Sequence, residues 1–256
     1  MNYIFDGTYP GFLCCVFEFF DYKDSDVNLQ VEGEDAAQIS IFESSKTIIT
    51  SVDKSSRVYK GLQKHLGISV AMDFYRVFLS EDRKAWKAAF TLIVKIFKGQ
   101  PNILKNYGDE DVLYFAQTLK KVSRERHRMK AFIRFSKDSQ GMYFAIIEPD
   151  FNVLPLISRF FQNRYADQNW LIYDIRRKYG LMYDKMNVFE VHLSPEEKNS
   201  LTTSSAIITL DEKDEHYQKL WKRYYTSTNI EARRNMKLHL QYVPKRYWKY
   251  LVEKQV

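Results

Sequence analysis

The sequence predicts an α+β fold: a helical N-terminal half, a central β-β-α-β-β antiparallel sheet and C-terminal helices. Three observations predict it. Apolar residues recur at helical spacing through residues 53–129, period-two runs separated by turn residues follow, and helix starts reappear near Asp211 and Asn229. The 256 residues, 45% hydrophobic, suffice for one large domain or two modest ones. The division is placed as an N-terminal α/β subdomain over 1–108, then 109–256 as the sheet with its helices and C-terminal helical segment, one compact unit.

Met1 to Phe5 reads as a strand, Asp6-Gly7 as a turn and Gly11 to Phe20 as an apolar helix. Residues 39–50 look like a hairpin, with Ile39, Ile41, Ile48 and Ile49 flanking a polar stretch. Asp53 or Ser55 caps a helix to His65 that Gly67 ends; a second helix spans Ser69 to Leu79. A third starts at Ser80 and places Trp86, Phe90, Ile93 and Phe97 on one face, before a loop over 99–108.

The helix from Asp109 to Met129 carries acids at its start and bases at its end, matching the helix dipole. Val112, Phe115, Leu119, Val122 and Met129 form its apolar stripe, and Arg126 falls within that stripe as a structural ion-pair candidate. Ala131–Phe135 and Met142–Ile147 read as a hairpin around Lys137-Asp138-Ser139-Gln140-Gly141. Asn152 caps a helix to Tyr165 that tolerates Pro155 in its first turn. Trp170–Ile175 and Asn187–Leu193 read as strands joined by the basic loop Arg176-Arg177-Lys178. Ala206–Leu210 reads as a strand before the last helices, and Pro244 opens the final short one.

Charge is unevenly spread. Residues 1–56 hold ten acids and three bases, residues 120–134 seven bases and one acid, and residues 213–256 eleven bases and four acids. A basic surface facing a polyanion fits this pattern, and so do solvated helix faces. The longest apolar run, Phe12–Phe17, is far short of a membrane span, and no base precedes it as in a signal peptide. A cytoplasmic protein is expected. Cys14 and Cys15, the two cysteines, exclude a disulfide scaffold, a cysteine-ligated iron–sulfur cluster and a cysteine-rich zinc site within this chain.

No phosphate-cradling glycine loop, dinucleotide fingerprint or His-Glu-x-x-His is present, the five histidines are scattered, and neither cofactor nor metal is expected. The candidates are basic. Lys120, Arg124, His127 and Arg128 lie on one stripe opposite the apolar one, and Lys130, Phe132 and Arg134 share one face of the expected strand. Such a row holds phosphates with its cations and stacks a base on its ring, unless Phe132 belongs to the core. Arg164, Arg176 and Arg177 join the candidate nucleic-acid contacts. Glu148 and Asp150, with His127 as proton shuttle, are candidates for acid–base or metal chemistry, or else ion-pair partners for the bases. The tail interleaves rings and bases from Tyr224 to Tyr250, suiting either stacking on nucleic acid or core cover.

Tyr3-Ile4-Phe5-Asp6-Gly7-Thr8, Gly11-Phe12-Leu13 and Val16-Phe17-Glu18 resemble the opening of a bacterial family of DNA metabolism proteins with a domain of unknown function. The block Glu125–Phe135 is similar to that family's most recognisable segment. Glu148-Pro149-Asp150, Phe160-Phe161, Arg164, Trp170, Tyr183-Asp184, Leu220-Trp221 and Pro244 through Leu251 resemble its later landmarks. The chain departs from the pattern at Arg126, where a small or apolar residue is usual, and at Asp174-Ile175, where Thr-Pro is common. The resemblance implies DNA as a partner, together with a radical-SAM protein of DNA modification or repair; in some bacteria a related domain is fused to a uracil-DNA-glycosylase-like domain. It implies no catalytic residues. Three functions are therefore carried forward: a DNA-binding accessory, an enzyme on DNA or nucleotides using Glu148, Asp150 and His127, and a subunit docking the radical-SAM protein through its acidic N-terminal part.

Overall fold

Thr8 starts the first helix. Its hydroxyl accepts the Gly11 N–H at 3.0 Å and donates to Asp6 Oδ1 at 2.7 Å, while Thr50 donates to Asp6 Oδ2 at 2.7 Å. Burial raises the Asp6 pKa, but the bonds from Thr50 and Thr8 outweigh it and hold the carboxyl below its ordinary value. Gly11 is required there, because a Cβ would stand 2.2 Å from Asp6 Oδ1.

The computed structural model describes residues 1–33, 44–137, 141–192, 240 and 242–254. The fold is α+β, as the sequence predicts, with helices dominating the N-terminal half and strands the middle. The chain divides into two compact units, Met1–Arg124 and Glu125–Val256, with the boundary inside one long helix. Among the described residues no helix is long and apolar enough to cross a membrane.

In the first unit β1 (Asn2–Phe5) is the middle of a parallel three-stranded sheet, between β2 (Asn28–Val31) and β3 (Ser45–Thr47). The described half of the expected hairpin thus pairs in parallel with β1; residues 34–43 lie outside the described residues. Helices α1 (Tyr9–Tyr22), α2 (Val52–Leu66), α3 (Ile68–Phe78) and α4 (Arg83–Phe97) surround a core that includes Tyr3, Phe5, Phe12, Phe74, Leu92 and Ile93. Ser51, not Asp53 or Ser55, caps α2, and Asp82, not Ser80, caps α4.

Helix α5 (Glu110–Phe132) links the units and corrects one expectation. Residues 131–135 are not a strand: the helix runs through Phe132, so Lys130, Phe132 and Arg134 do not share a strand face. Arg134 Nη1 donates to the Ala131 and Ile133 carbonyls at 2.7 and 3.3 Å, answering acceptors that a helix end leaves open.

The second unit holds a five-stranded sheet in sequential order: β4 (Ser136–Lys137), β5 (Tyr143–Ile147), β6 (Trp170–Asp174), β7 (Tyr179–Tyr183) and β8 (Val188–Val191). It is antiparallel except between β5 and β6, which pair in parallel, with α6 (Leu154–Arg164) as the crossover. Strand β7 is absent from the sequence reading, so the basic loop joins β6 to β7 instead of β8. Asn152 does not cap α6; its side chain accepts the Tyr179 hydroxyl at 2.5 Å. Pro244 opens a 3-10 turn, Lys245–Tyr250. The strand expected at 206–210 and the helices expected from 211 and 229 lie outside the described residues.

Candidate functional site

The carboxyl ends of the parallel pair β5 and β6 carry a dense charged cluster, the end of a parallel sheet where ligands commonly bind. Strand β5 runs into Glu148-Pro149-Asp150, and β6 ends on Asp174. Asp174 is fully buried, and its Oδ1 accepts the backbone N–H groups of Arg176 and Arg177 at 2.9 and 3.2 Å, folding the turn to β7. Arg177 pairs with Asp174 Oδ2 at 2.8 Å and also donates to the carbonyls of Pro149 and Asp150, both at 3.1 Å. Burial pushes the Asp174 carboxyl above its ordinary pKa, against the opposing pull of Arg177.

A second layer comes from residues 245–250. Glu125 on α5 is 1% exposed. Its Oε1 accepts the Tyr247 hydroxyl at 2.5 Å and the Asp150 N–H at 3.0 Å, and its Oε2 accepts Arg246 Nη2 at 3.1 Å. Arg128 stands 3.8 Å from the same oxygen, and Arg246 bridges to Asp150 Oδ2 at 2.6 Å. Glu148 is bonded by Lys249 and, at 2.9 Å, by the Tyr250 hydroxyl; these two bonds hold its carboxyl below the ordinary value. The Tyr250 phenol, mainly through burial, is pushed up to about 12.

Four carboxylates (Glu125, Glu148, Asp150, Asp174) are thus each met by a cation. Such an environment keeps Glu148 an anion at neutral pH, whereas general acid catalysis asks for a raised pKa. Among the described residues no three His, Cys, Asp or Glu side chains gather as metal ligands would.

Residues 83–253 match a family described as a domain of unknown function, DUF4130. The chain belongs to that family. The match takes in α4, α5, the five-stranded sheet and the turn that closes on Glu125. No curated protein and no solved structure matches the chain.

Within this DUF4130 chain the candidate residues separate into four groups. Glu148, Asp150, Arg176 and Arg177 meet at the carboxyl ends of β5 and β6, with Arg128 at their border. Lys120, Arg124 and His127 lie exposed on the outer face of α5, where none makes a hydrogen bond or ion pair with a described residue. His127 is not drawn to the two acids. Arg134 and Arg164 line a cleft at the opposite, amino ends of β5 and β6. Lys130 and Phe132 serve packing: the Lys130 ammonium sits 4.9 Å from the Phe160 ring centre, and Phe132 lies 5.4 Å from the Tyr247 ring. Burial, then the neighbouring Arg126, lowers the Lys130 pKa.

Glu125, Asp174, Arg246, Tyr247, Lys249 and Tyr250 belong to the cluster without being among the site residues that the sequence predicts; the last four come from the tail of rings and bases. Glu125 had a signal. From Phe115 onward the buried α5 positions run Phe115, Thr118, Val122, Glu125 and Met129, alternating steps of three and four. That 3.5-residue period rotates Glu125 inward and carries Arg126 to the flank.

Proposed function

We propose that the protein is a cytoplasmic DNA-binding accessory of a DNA modification or repair system, acting with a radical-SAM partner. One observation carries the DNA-binding part. On the outer face of α5 Lys120, Lys121, Arg124 and His127 are exposed, with no carboxylate partner among the described residues. The acid in their midst, Glu125, is turned inward and spent on Tyr247 and Arg246. Such a face keeps its positive charge for an outside anion. Lys120 and Arg124 are about 6 Å apart along the helix axis, near the advance of two nucleotides on one strand.

The partner rests on the family resemblance. Radical-SAM chemistry needs a cysteine-held iron–sulfur cluster, and Cys14 and Cys15 are both fully buried in the first unit. That chemistry would therefore belong to the partner, and this chain would hold or present the strand.

A titration of the full chain against labelled single- and double-stranded DNA across about 50–200 mM salt tests the proposal, because each neutralised phosphate contributes about 0.7–0.9 to the log–log slope. Lys120→Ala and Arg124→Ala should each flatten the slope by about one contact and weaken all sequences alike. Salt-independent affinity, or slopes unchanged in both variants, would refute DNA binding by this face. Failure to co-purify with the radical-SAM protein would remove the partner.

A further inference from the structure

At the amino ends of β5 and β6, away from the charged cluster, the second unit has a cleft of about 520 Å³. That volume falls inside the span of about 300–1,000 Å³ found for small-molecule sites. Its walls are rings: Phe135, Tyr143, Tyr165 and Trp170 all line it. Three of them form one packed set, with the Phe135 ring 5.3 Å from Tyr165 and 6.5 Å from Trp170. Trp170 is fully buried, and its indole N–H has no acceptor among the described residues.

The remaining lining is cationic and amide. Arg134 and Arg164 both line the cleft, and no carboxylate stands among its described lining residues. Arg164 is exposed at the end of α6; its described polar contact is a 3.5 Å bond from Nε to the Tyr165 hydroxyl, which leaves its fork of terminal nitrogens for a ligand. Gln168, with a donor and an acceptor on one planar amide, suits the edge of a heterocycle.

Flat aromatic walls, an uncompensated guanidinium and an amide together select a planar ring that carries an anion. We propose that this cleft binds one nucleoside monophosphate unit, its base against the ring walls and its phosphate on Arg164. The unit is either a free nucleotide or an unstacked nucleotide of a strand. Only the second source rests on the DNA-binding reading above.

Calorimetric titration of the full chain with the four deoxynucleoside monophosphates and their nucleosides tests the free form. Nucleotides should bind, nucleosides should bind about tenfold more weakly, and Arg164→Ala should erase that difference. Arg164→Lys should restore part of it, and an unchanged far-ultraviolet circular dichroism spectrum should show that the fold survives. The strand form is tested with a single-stranded oligonucleotide at fixed salt, where Arg164→Ala and Gln168→Ala should each weaken binding. Either pattern supports the cleft and names its source. The proposal is overturned if no mononucleotide binds and both variants hold the oligonucleotide like the parent. Because the α5 face is judged by the salt slope of Lys120→Ala and Arg124→Ala, one site can fail while the other stands.

Discussion

Glu125→Gln is the sharpest perturbation of the second unit. The amide keeps the size of the side chain and an oxygen for the Tyr247 hydroxyl and the Asp150 N–H. It turns an NH2 group toward Arg246 and Arg128, donor against donor. A hydrogen bond to a charged group contributes about 1.5–3 kcal/mol. The lower part of that range applies, because Arg246 is 42% exposed and retains Asp150 at 2.6 Å. The expected loss is about 1.5–2 kcal/mol for Glu125→Gln, and about 3–5 kcal/mol for Glu125→Ala, which also strands the buried Tyr247 hydroxyl and the Asp150 N–H. Lys245, Arg246 and Lys249 make the docked turn a tryptic target, so its release is measurable. At fast opening and closing, a loss of about 2 kcal/mol raises cleavage about 30-fold. Unchanged cleavage at 245–249 in both variants, with an unchanged urea midpoint, would refute Glu125 as the anchor.

Glu148 gives the turn an acid dependence. Its folded pKa is depressed by Lys249 and Tyr250, so its contribution is present above the ordinary value of 4.5 and is lost as pH falls through the lower folded value. Amide exchange of residues 245–250, corrected for intrinsic rates, should accelerate across that window, and Glu148→Gln should remove the dependence. Asp174→Asn deprives Arg177, whose side chain is 9% exposed, of its carboxylate; unfolding in urea should show a loss of about 3 kcal/mol. In the first unit Gly11→Ala brings a Cβ within 2.2 Å of Asp6 Oδ1 and 2.8 Å of Thr50 Oγ1, dislodging the cap of α1 at about 1–3 kcal/mol, again by urea unfolding.

The helices of the first unit are legible because each declares its face by spacing and its start by a short polar side chain, even where the cap is Ser51 or Asp82 instead of a neighbour. The end of α5 misleads. Lys130, Phe132 and Arg134 alternate as a strand would, yet Met129 and Ile133, four apart and both buried, satisfy a helix equally well. The Arg134 side chain, which settles where the helix stops, leaves no mark in a periodicity. Strand β7 escapes notice because Gly180 interrupts a five-residue run. Its missing side chain is a packing requirement, since a Cβ would meet the Ile172 carbonyl at 2.8 Å. Of the candidate site, the cations on the outer face of α5 are legible from helical angle. The cluster around Glu125 is not, since its partners lie far along the chain and a lone glutamate reads as solvated.

That separation has a kinetic consequence. Arg246 and Tyr247 follow Glu125 by 121 and 122 residues. At a translation speed of about 5–20 residues per second, a nascent chain carries this carboxylate for roughly 6–24 s with only Arg128 nearby, before Arg246 and Tyr247 exist. The interior around it must stay hydrated over that interval, so the second unit finishes folding only after its closing turn is made.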